Sequence, residues 1–158
     1  MTGIDKERLE KLIGSLRSAL RLLRQLKDTS EVEFLKDEHL QSSAKYNFTV
    51  AIEAAIDIAS HVISRNKLRA PEDYADTFRV LSEGGILDGA FAMELGKMAR
   101  FRNRLVHLYW DVDVSEVRRI LDTRLDDFET FITTVGSAVN GAACAAGAIS
   151  QRPMARAP

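Results

Sequence analysis

The sequence predicts an all-α protein, an antiparallel up-and-down bundle of about five helices. Apolar residues recur at intervals of three and four along most of the chain, which is the period of a helix with one buried face. No stretch shows the period-two alternation of a half-buried strand. The 158 residues, 46% apolar and 28% charged, suit one soluble domain with its own core. The single cysteine, Cys144, excludes an internal disulfide and is compatible with a reducing compartment.

Two helices are predicted in the first part of the chain. The first spans residues 5–27 and has a regular apolar stripe, formed by Leu9, Leu12, Ile13, Leu16, Leu20 and Leu23. The second begins after Ser30, because Ser30 and Glu33 have the capping-box spacing. It is expected to break or kink before Tyr46 and then to continue to about Asn66.

Three further helices are predicted after Pro71, whose ring disfavours helical backbone in the residue before it. The third is short, and its apolar positions are Tyr74, Phe78 and Leu81. It ends at Gly84 and Gly85, which can supply a left-handed residue. The fourth is expected from near residue 87 to residue 107 or 109. The fifth opens at Asp113, which has N-cap spacing with Glu116, and carries an apolar seam to residue 135.

Residues 1–136 are predicted to form this helical domain, and residues 137–158, rich in Ala, Gly and Ser, a flexible tail. The formal net charge of −1 excludes a bulk electrostatic attraction to nucleic acid or membrane, so any anion site must be local. The N-terminus lacks the apolar segment of a secretory signal, and the longest uncharged run, residues 130–151, is too weakly apolar to insert into a bilayer. A cytoplasmic protein without membrane association is expected.

The densest positive patch lies in residues 97–107, which hold four basic residues, one histidine and no acid. The basic residues are Lys97, Arg100, Arg102 and Arg104. His107 closes the segment, and Tyr109 and Trp110 lie just beyond it. These side chains offer proton transfer, phosphate stabilisation and base stacking. A second basic row, on the outer side of the first helix, is interpreted as a solvated face, with an RNA-guiding surface as the alternative; it consists of Arg17, Arg21, Arg24 and Lys27.

Purely structural roles are an alternative for the same segment. A histidine near a helix C-terminus stabilises the helix dipole. Arg102 can pair with Asp111 or Asp113. Tyr109 and Trp110 are then core or staple residues.

Helical geometry separates the two residues best suited to act on a phosphate. Arg102 and His107 stand about 140° apart around a helix axis, so their side chains need not converge within one copy. Arg100 and Asn103 share the face of His107. Two copies packed across a two-fold axis would bring both sets into one cleft. Gly96 is then a close-approach position at that contact, or it merely accommodates a neighbouring helix.

Residues 102–109, Arg-Asn-Arg-Leu-Val-His-Leu-Tyr, resemble the R-N-x-x-x-H-x-Y signature of HEPN-domain proteins, specifically the HepT-like toxins partnered by a minimal nucleotidyltransferase. The resemblance covers roughly residues 5–135. The flanking positions that share it are Pro71, Tyr74, Phe78, Leu81, Gly84, Gly85, Ile86, Met98, Phe101, Trp110, Asp113 and Val114.

This resemblance implies a metal-independent endoribonuclease that works as a homodimer, with the arginine and histidine of both copies lining a shared cleft. It assigns catalysis to Arg102 and His107, and a supporting role to Asn103, which orients the phosphate or the imidazole. RNA carries its own nucleophile, the 2′-hydroxyl, so a base and a cation suffice and no cofactor is implied. The neighbouring cations are candidates for binding RNA, namely Lys97, Arg100 and Arg104.

The resemblance also implies regulation by a partner. The tyrosine of the signature, Tyr109 here, is the residue that the nucleotidyltransferase antitoxin modifies with AMP, which blocks the toxin. Stacking or packing near the site is the alternative role for this tyrosine. Two other functions stay open for the whole chain: a non-catalytic HEPN partner that presents substrate to a nucleotidyltransferase, and a helical interaction protein without chemistry.

No metal site is predicted. His39, His61 and His107 lie far apart in the sequence, and neither of the first two belongs to a helical metal-binding motif such as H-E-x-x-H. Asp57 and His61 form an i, i+4 pair, which is interpreted as a surface or packing contact rather than as a second catalytic dyad.

Overall fold

The structure, a computed structural model, describes residues 3–149, with side chains described for residues 5–139. Within that range the chain is helical and contains no strand, which confirms the predicted all-α class. The helices are α1 (Gly3–Lys27), α2 (Glu31–Lys36), α3 (Glu38–Arg65), α4 (Tyr74–Glu83), α5 (Gly89–His107), α6 (Val114–Thr123) and α7 (Leu125–Ile149). A short 3-10 turn, Tyr109–Asp111, follows α5. No described helix is long and apolar enough to cross a membrane.

The described residues form seven α-helices where about five were expected, because two of the predicted helices are divided. Asp37 divides the second: its backbone is extended, and its carboxylate accepts hydrogen bonds from the N–H groups of His39, at 2.8 Å, and Leu40, at 3.4 Å. An aspartate that caps a new helix in this way competes with continuation of the preceding one. Arg124, with φ −121° and ψ 0°, separates α6 from α7.

Three predicted helix boundaries are confirmed by local geometry. The hydroxyl of Ser30 accepts a hydrogen bond from the N–H of Glu33 at the start of α2. Asp113 caps α6 by accepting from the N–H of Ser115 at 2.9 Å. After α4 the chain turns at Gly85, whose φ of +75° lies in the left-handed region that glycine adopts without strain.

The core is organised around α3, which packs against each of the other six described α-helices. Pairs of phenylalanine side chains form contacts between α3 and α5 and between α4 and α7. Phe48 of α3 meets Phe101 of α5 edge to face, with ring centroids 5.7 Å apart, and Phe78 of α4 meets Phe131 of α7 at 5.8 Å. Since Phe101 is buried, the next residue along α5, Arg102, is held close to α3.

An ion-pair network anchors the start of α4. Asp76 is 6% exposed and accepts hydrogen bonds from Arg69, at 2.7 and 3.0 Å, from Arg79, at 2.6 Å, and from the backbone N–H of Glu72, at 2.9 Å. These donors, Arg69 first, hold the pKa of the Asp76 carboxyl well below its usual range. The network fixes the connection that leads into α4.

We expect Asp76→Asn to destabilise the protein most at neutral pH. A carboxyl whose pKa is lowered by folding contributes stability above its unfolded pKa, about 4, and loses that contribution as pH falls toward its folded pKa. The difference in urea midpoint between wild type and Asp76→Asn should therefore narrow as pH falls from about 5 toward 2. Asp28→Asn, at an exposed carboxylate, is the control. A difference independent of pH would contradict this role.

Gly96 lies at a contact between helices of the same chain. It is buried, and a Cβ added there would lie 3.6 Å from the carbonyl oxygen of Ala75 in α4. The structure therefore supports the accommodation of a neighbouring helix, while a role for Gly96 between two copies stays a prediction.

The last helix continues beyond the predicted end of the domain. Helix α7 runs to Ile149, through the first part of the segment assigned to a tail on composition. Residues 150–158 lie outside the described range, so the domain boundary at residue 136 and the flexible tail stay predictions.

Candidate active site

Arg102 is held by side chains from three helices. Its Nε and Nη2 both donate to Oε1 of Glu53 in α3, at 3.1 and 2.5 Å, and its Nη1 donates to Oδ1 of Asn103 at 3.2 Å. The guanidinium lies over the ring of Tyr74 in α4, 5.3 Å from the centroid. With the Arg102 side chain 14% exposed, its position is largely determined by these contacts.

The purely structural interpretation of Arg102 predicted the wrong ion-pair partners. Arg102 pairs with Glu53 and not with Asp111 or Asp113. Asp113 uses its carboxylate to cap α6, and Asp111 lies in the 3-10 turn. The reason is the direction of the side chain, which leaves α5 on the side that packs against α3 rather than toward the end of the helix.

The pairing with Glu53 leaves Arg102 able to bind a further anion. Three of the five guanidinium N–H donors are used by Glu53 and Asn103, so two remain. Glu53 occupies the edge formed by Nε and Nη2, which leaves an N–H on each terminal nitrogen for a phosphate oxygen. The Glu53 carboxylate offsets part of the positive charge, but it also holds the guanidinium in one orientation.

His107 is the last residue of α5 and is exposed. Among the described side chains, no hydrogen bond or ion pair joins it to Arg102, and the two positions are about 140° apart around the helix. One chain therefore does not bring the two residues together, as the helical spacing predicted. Asn103 contacts Arg102, which favours the phosphate side of the site over the imidazole for its supporting role.

The aromatic residues beyond α5 are exposed. Tyr109 and Trp110 are 63% and 71% exposed, and their rings meet edge to face with centroids 5.2 Å apart. The interpretation of these two residues as core residues is therefore wrong for this chain. The exposed phenol of Tyr109 lies two residues beyond His107, just past the end of α5.

The three RNA-binding candidates differ in how they are paired. Lys97 donates to Glu94 at 2.8 Å. Arg104 makes a two-pronged contact with Glu116, at 2.8 and 2.9 Å, and that hydrogen bonding raises the pKa of Arg104. Arg100 is exposed and has no carboxylate partner in the part of the chain whose side chains are described.

Glu53 and Tyr74 are the site residues that sequence reasoning missed as functional. Glu53 stands in an apolar stretch of α3, Ala-Ile-Glu-Ala-Ala-Ile, where an acidic residue is unusual. That contrast between Glu53 and its apolar neighbours was a usable signal. The sequence did not reveal the partner of Glu53, because Arg102 is 49 positions away.

Asp57 and His61 do not form a dyad among the described contacts. Burial, and then the charge of Glu53, raise the pKa of Asp57, while Nε2 of His61 is buried without a hydrogen-bond partner in the described residues. The interpretation as a surface or packing contact stays a prediction. No group of three or more metal-ligating side chains is found among the residues described.

Comparison with known proteins identifies a family. A family model described as "Ribonuclease HepT-like" matches residues 16–135. The chain is 32% identical over 103 residues to an mRNA nuclease HepT of Shewanella oneidensis, covering 65% of this chain and 77% of the relative. It is 26% identical over 139 residues to a tRNA nuclease HepT of Aphanizomenon flos-aquae, covering 87% and 93%.

Solved structures show the same fold. A tri-AMPylated Shewanella oneidensis HEPN toxin in complex with MNT antitoxin matches with a TM-score of 0.77 and 27% identity, over 87% of this chain and 99% of that one. A toxin-antitoxin crystal structure with AMP-PNP matches with a TM-score of 0.77 and 26% identity, over 82% and 97%.

Proposed function

Because the chain belongs to the HepT-like ribonuclease family, we propose that it is the toxin of a toxin-antitoxin pair and cleaves RNA as a metal-independent endonuclease. One observation carries this proposal. Glu53 and Tyr74 fix Arg102 while two of its N–H donors stay unused, and His107 and Tyr109 are exposed at the end of the same helix. The relatives named as mRNA and tRNA nucleases support it.

The proposed reaction uses the nucleophile of the substrate. The 2′-oxygen of the ribose attacks the adjacent phosphorus and gives its proton to a neutral imidazole, while the bond from phosphorus to the 5′-oxygen breaks and the leaving oxygen takes up a proton. His107 is the proton-transfer group. Arg102 binds the non-bridging oxygens, where negative charge increases in the transition state. The products are a 2′,3′-cyclic phosphate and a 5′-hydroxyl.

The proposed site is shared by two copies. One chain holds Arg102 and His107 on different sides of α5, so a complete site needs a second α5 nearby. A two-fold axis beside α5 supplies it, because the same surface of each copy then faces the other. In such a cleft one His107 takes the proton and the partner's His107 gives one.

The partner proposed for this chain is a nucleotidyltransferase antitoxin that adds AMP to Tyr109. The MNT antitoxin and the tri-AMPylated state named for the Shewanella oneidensis complex support this assignment. Since RNA and the nucleotide donor are both cytoplasmic, the proposal places the protein in the cytoplasm.

Cleavage of total RNA by the purified protein in excess EDTA tests the proposal. RNA fragments ending in cyclic phosphate are the expected result, and chelation should leave the rate unchanged because no step uses a metal. Intact RNA from a folded protein whose Tyr109 carries no added mass would overturn the proposal, and would leave a non-catalytic HEPN partner of a nucleotidyltransferase as the better description.

Glu53→Gln is expected to lower kcat by about 10- to 100-fold without raising KM, because a poorly oriented guanidinium loses contact mainly with the transition state. Removing a negative charge does not weaken the attraction for RNA. Glu129→Gln is the matched control, since Glu129 also pairs with an arginine, Arg24, at 3.6 Å and is similarly exposed. Equal effects of the two substitutions, or an increase in KM with kcat unchanged, would contradict a positioning role for Glu53.

A further inference from the structure

Lys97 and Arg100 form a basic ridge on α5 that separates two clefts. The first cleft, of about 390 Å³, lies between α5 and the region where α6 meets α7. Its charged lining consists of Lys97, Arg100, Arg104, Arg119, Arg124, Glu94 and Glu116. Five cations thus face two carboxylates, in a chain whose formal net charge is −1. The positive charge of this cleft is therefore a local feature.

The carboxylates of the first cleft are already engaged. Glu94 pairs with both Lys97, at 2.8 Å, and Arg124, at 2.9 Å. Hydrogen bonding and the charge of Lys97, and then the charge of Arg124, lower the pKa of Glu94, so it stays ionised. The pair of Arg104 and Glu116 joins α5 to α6 across the cleft.

Two cations of this cleft are not paired with a carboxylate among the described side chains. Arg100 and Arg119 are exposed, and neither has a carboxylate partner among the side chains that the structure describes. Asp127 lies outside the lining and is directed to Arg124, at 3.7 Å. Arg100 and Arg119 therefore have their guanidinium donors available for an anion.

The second cleft, between α4 and α5, is nearly balanced in charge. Its acidic lining residues are Glu72, Asp73 and Asp76, and its cations are Arg79 together with the two ridge residues, Lys97 and Arg100. Glu72 and Asp73 are exposed there, so a polyanion would meet repulsion. Of the two routes away from the ridge, the cleft with Arg119 is the favourable one.

The floor of the first cleft excludes base stacking as its main contact. Met98, Phe101 and Ile120 line it, but all three are buried, at 6%, 4% and 7% exposure, so no aromatic face is presented. Exposed guanidinium groups bind phosphate oxygens and carry no base code of their own. The cleft therefore suits the sugar-phosphate backbone of a strand, whatever its sequence.

We propose that Arg100 and Arg119 hold the phosphate backbone of single-stranded RNA in the cleft between α5 and α6, next to the scissile bond. This assignment rests on the proposed ribonuclease function and extends it to the path of the substrate. Arg100 shares the face of His107 on α5, about 10 Å away along the axis, and Arg119 lines the same cleft from α6, so a strand that leaves the imidazole along this cleft meets both arginines.

Binding of a fluorescein-labelled single-stranded RNA tests this path, measured in EDTA on a His107→Ala background so that the RNA stays whole. The double substitution Arg100→Ala with Arg119→Ala should weaken binding at least about tenfold. It should also make the negative slope of log K against log salt shallower by about 1.4, since each phosphate contact on a single strand contributes about 0.7 to its magnitude. The single substitutions should each give about half of that change in slope.

The matched control is Arg21→Ala together with Arg17→Ala, at two exposed arginines on the outer face of α1. An unchanged salt slope in the Arg100 and Arg119 variant, or an equal loss in the α1 control, would overturn the proposed path. The two proposals fail separately. If the double variant loses RNA binding but the wild-type protein never cleaves RNA, the proposed path is supported and the proposed ribonuclease function is overturned. If the wild-type protein cleaves RNA but the double variant binds RNA as tightly as its parent, the ribonuclease function is supported and the path is overturned.

Discussion

Replacing His107 with alanine is expected to lower the rate of RNA cleavage by about 10²- to 10⁴-fold, the range that a positioned acid-base group contributes. His107 is exposed at the end of α5, so its loss removes no core contact and the protein should unfold at the same urea concentration as wild type. The measurement is single-turnover cleavage in excess EDTA, which reports the chemical step without product release.

His39→Ala is the matched control for that substitution. His39 is also an exposed histidine near a helix end, in the first turn of α3, so general loss of an imidazole is reproduced there. Full activity is expected. Equal losses in both variants would contradict a specific role for His107.

Mixed dimers test whether the site is shared. Dimers that contain one wild-type subunit and one His107→Ala subunit should be nearly inactive if both imidazoles are needed for one reaction. Retention of half of the wild-type rate would show two independent sites, and it would contradict the cleft on a two-fold axis.

Addition of AMP to Tyr109 is expected to abolish cleavage. Each AMP brings a phosphodiester with a negative charge, and the Tyr109 phenol is 63% exposed two residues beyond His107. The added anion and its bulk would occupy the place of the RNA phosphate and repel the substrate strand. Incubation with the antitoxin and ATP, followed by intact-mass analysis and the cleavage assay, measures both effects on the same sample.

Tyr109→Phe should remain an active ribonuclease that the antitoxin and ATP no longer modify or silence. Tyr46→Phe is the matched control, because Tyr46 is a similarly exposed tyrosine, 69%, on α3. The Tyr46 variant should be modified and silenced like wild type. Silencing of Tyr109→Phe with added mass at another residue would overturn the assignment, and silencing without added mass would show inhibition by binding alone.

Local patterns in the sequence were sufficient to predict most of the helices and several of their ends. The apolar spacing on residues 5–27 predicted α1, and the capping spacing at Ser30 and Asp113 predicted where α2 and α6 begin, because a helix is built from contacts within four residues. The break in the second helix was expected before Tyr46, but only the backbone at Asp37 located it.

The candidate site was predictable as a segment and not as an arrangement. Residues 102–109 contain the proposed catalytic residues and the proposed modification residue, so sequence identified them together. Lys97 and Arg104 appeared equivalent to Arg100 in the sequence, yet Glu94 and Glu116 pair with the first two. Which cations stay available depends on neighbours that other helices, or other turns of the same helix, bring into reach.

By itself, the sequence determined that this protein is all-α, where most helices begin, and which eight-residue segment resembles a ribonuclease signature, because those properties depend on residues close together in the chain. Only the tertiary structure decided that Glu53 and Tyr74 hold Arg102, and that Arg100 and Arg119 face one cleft. Those partners come from different helices, whose packing on α3 brings side chains distant in sequence within hydrogen-bonding distance.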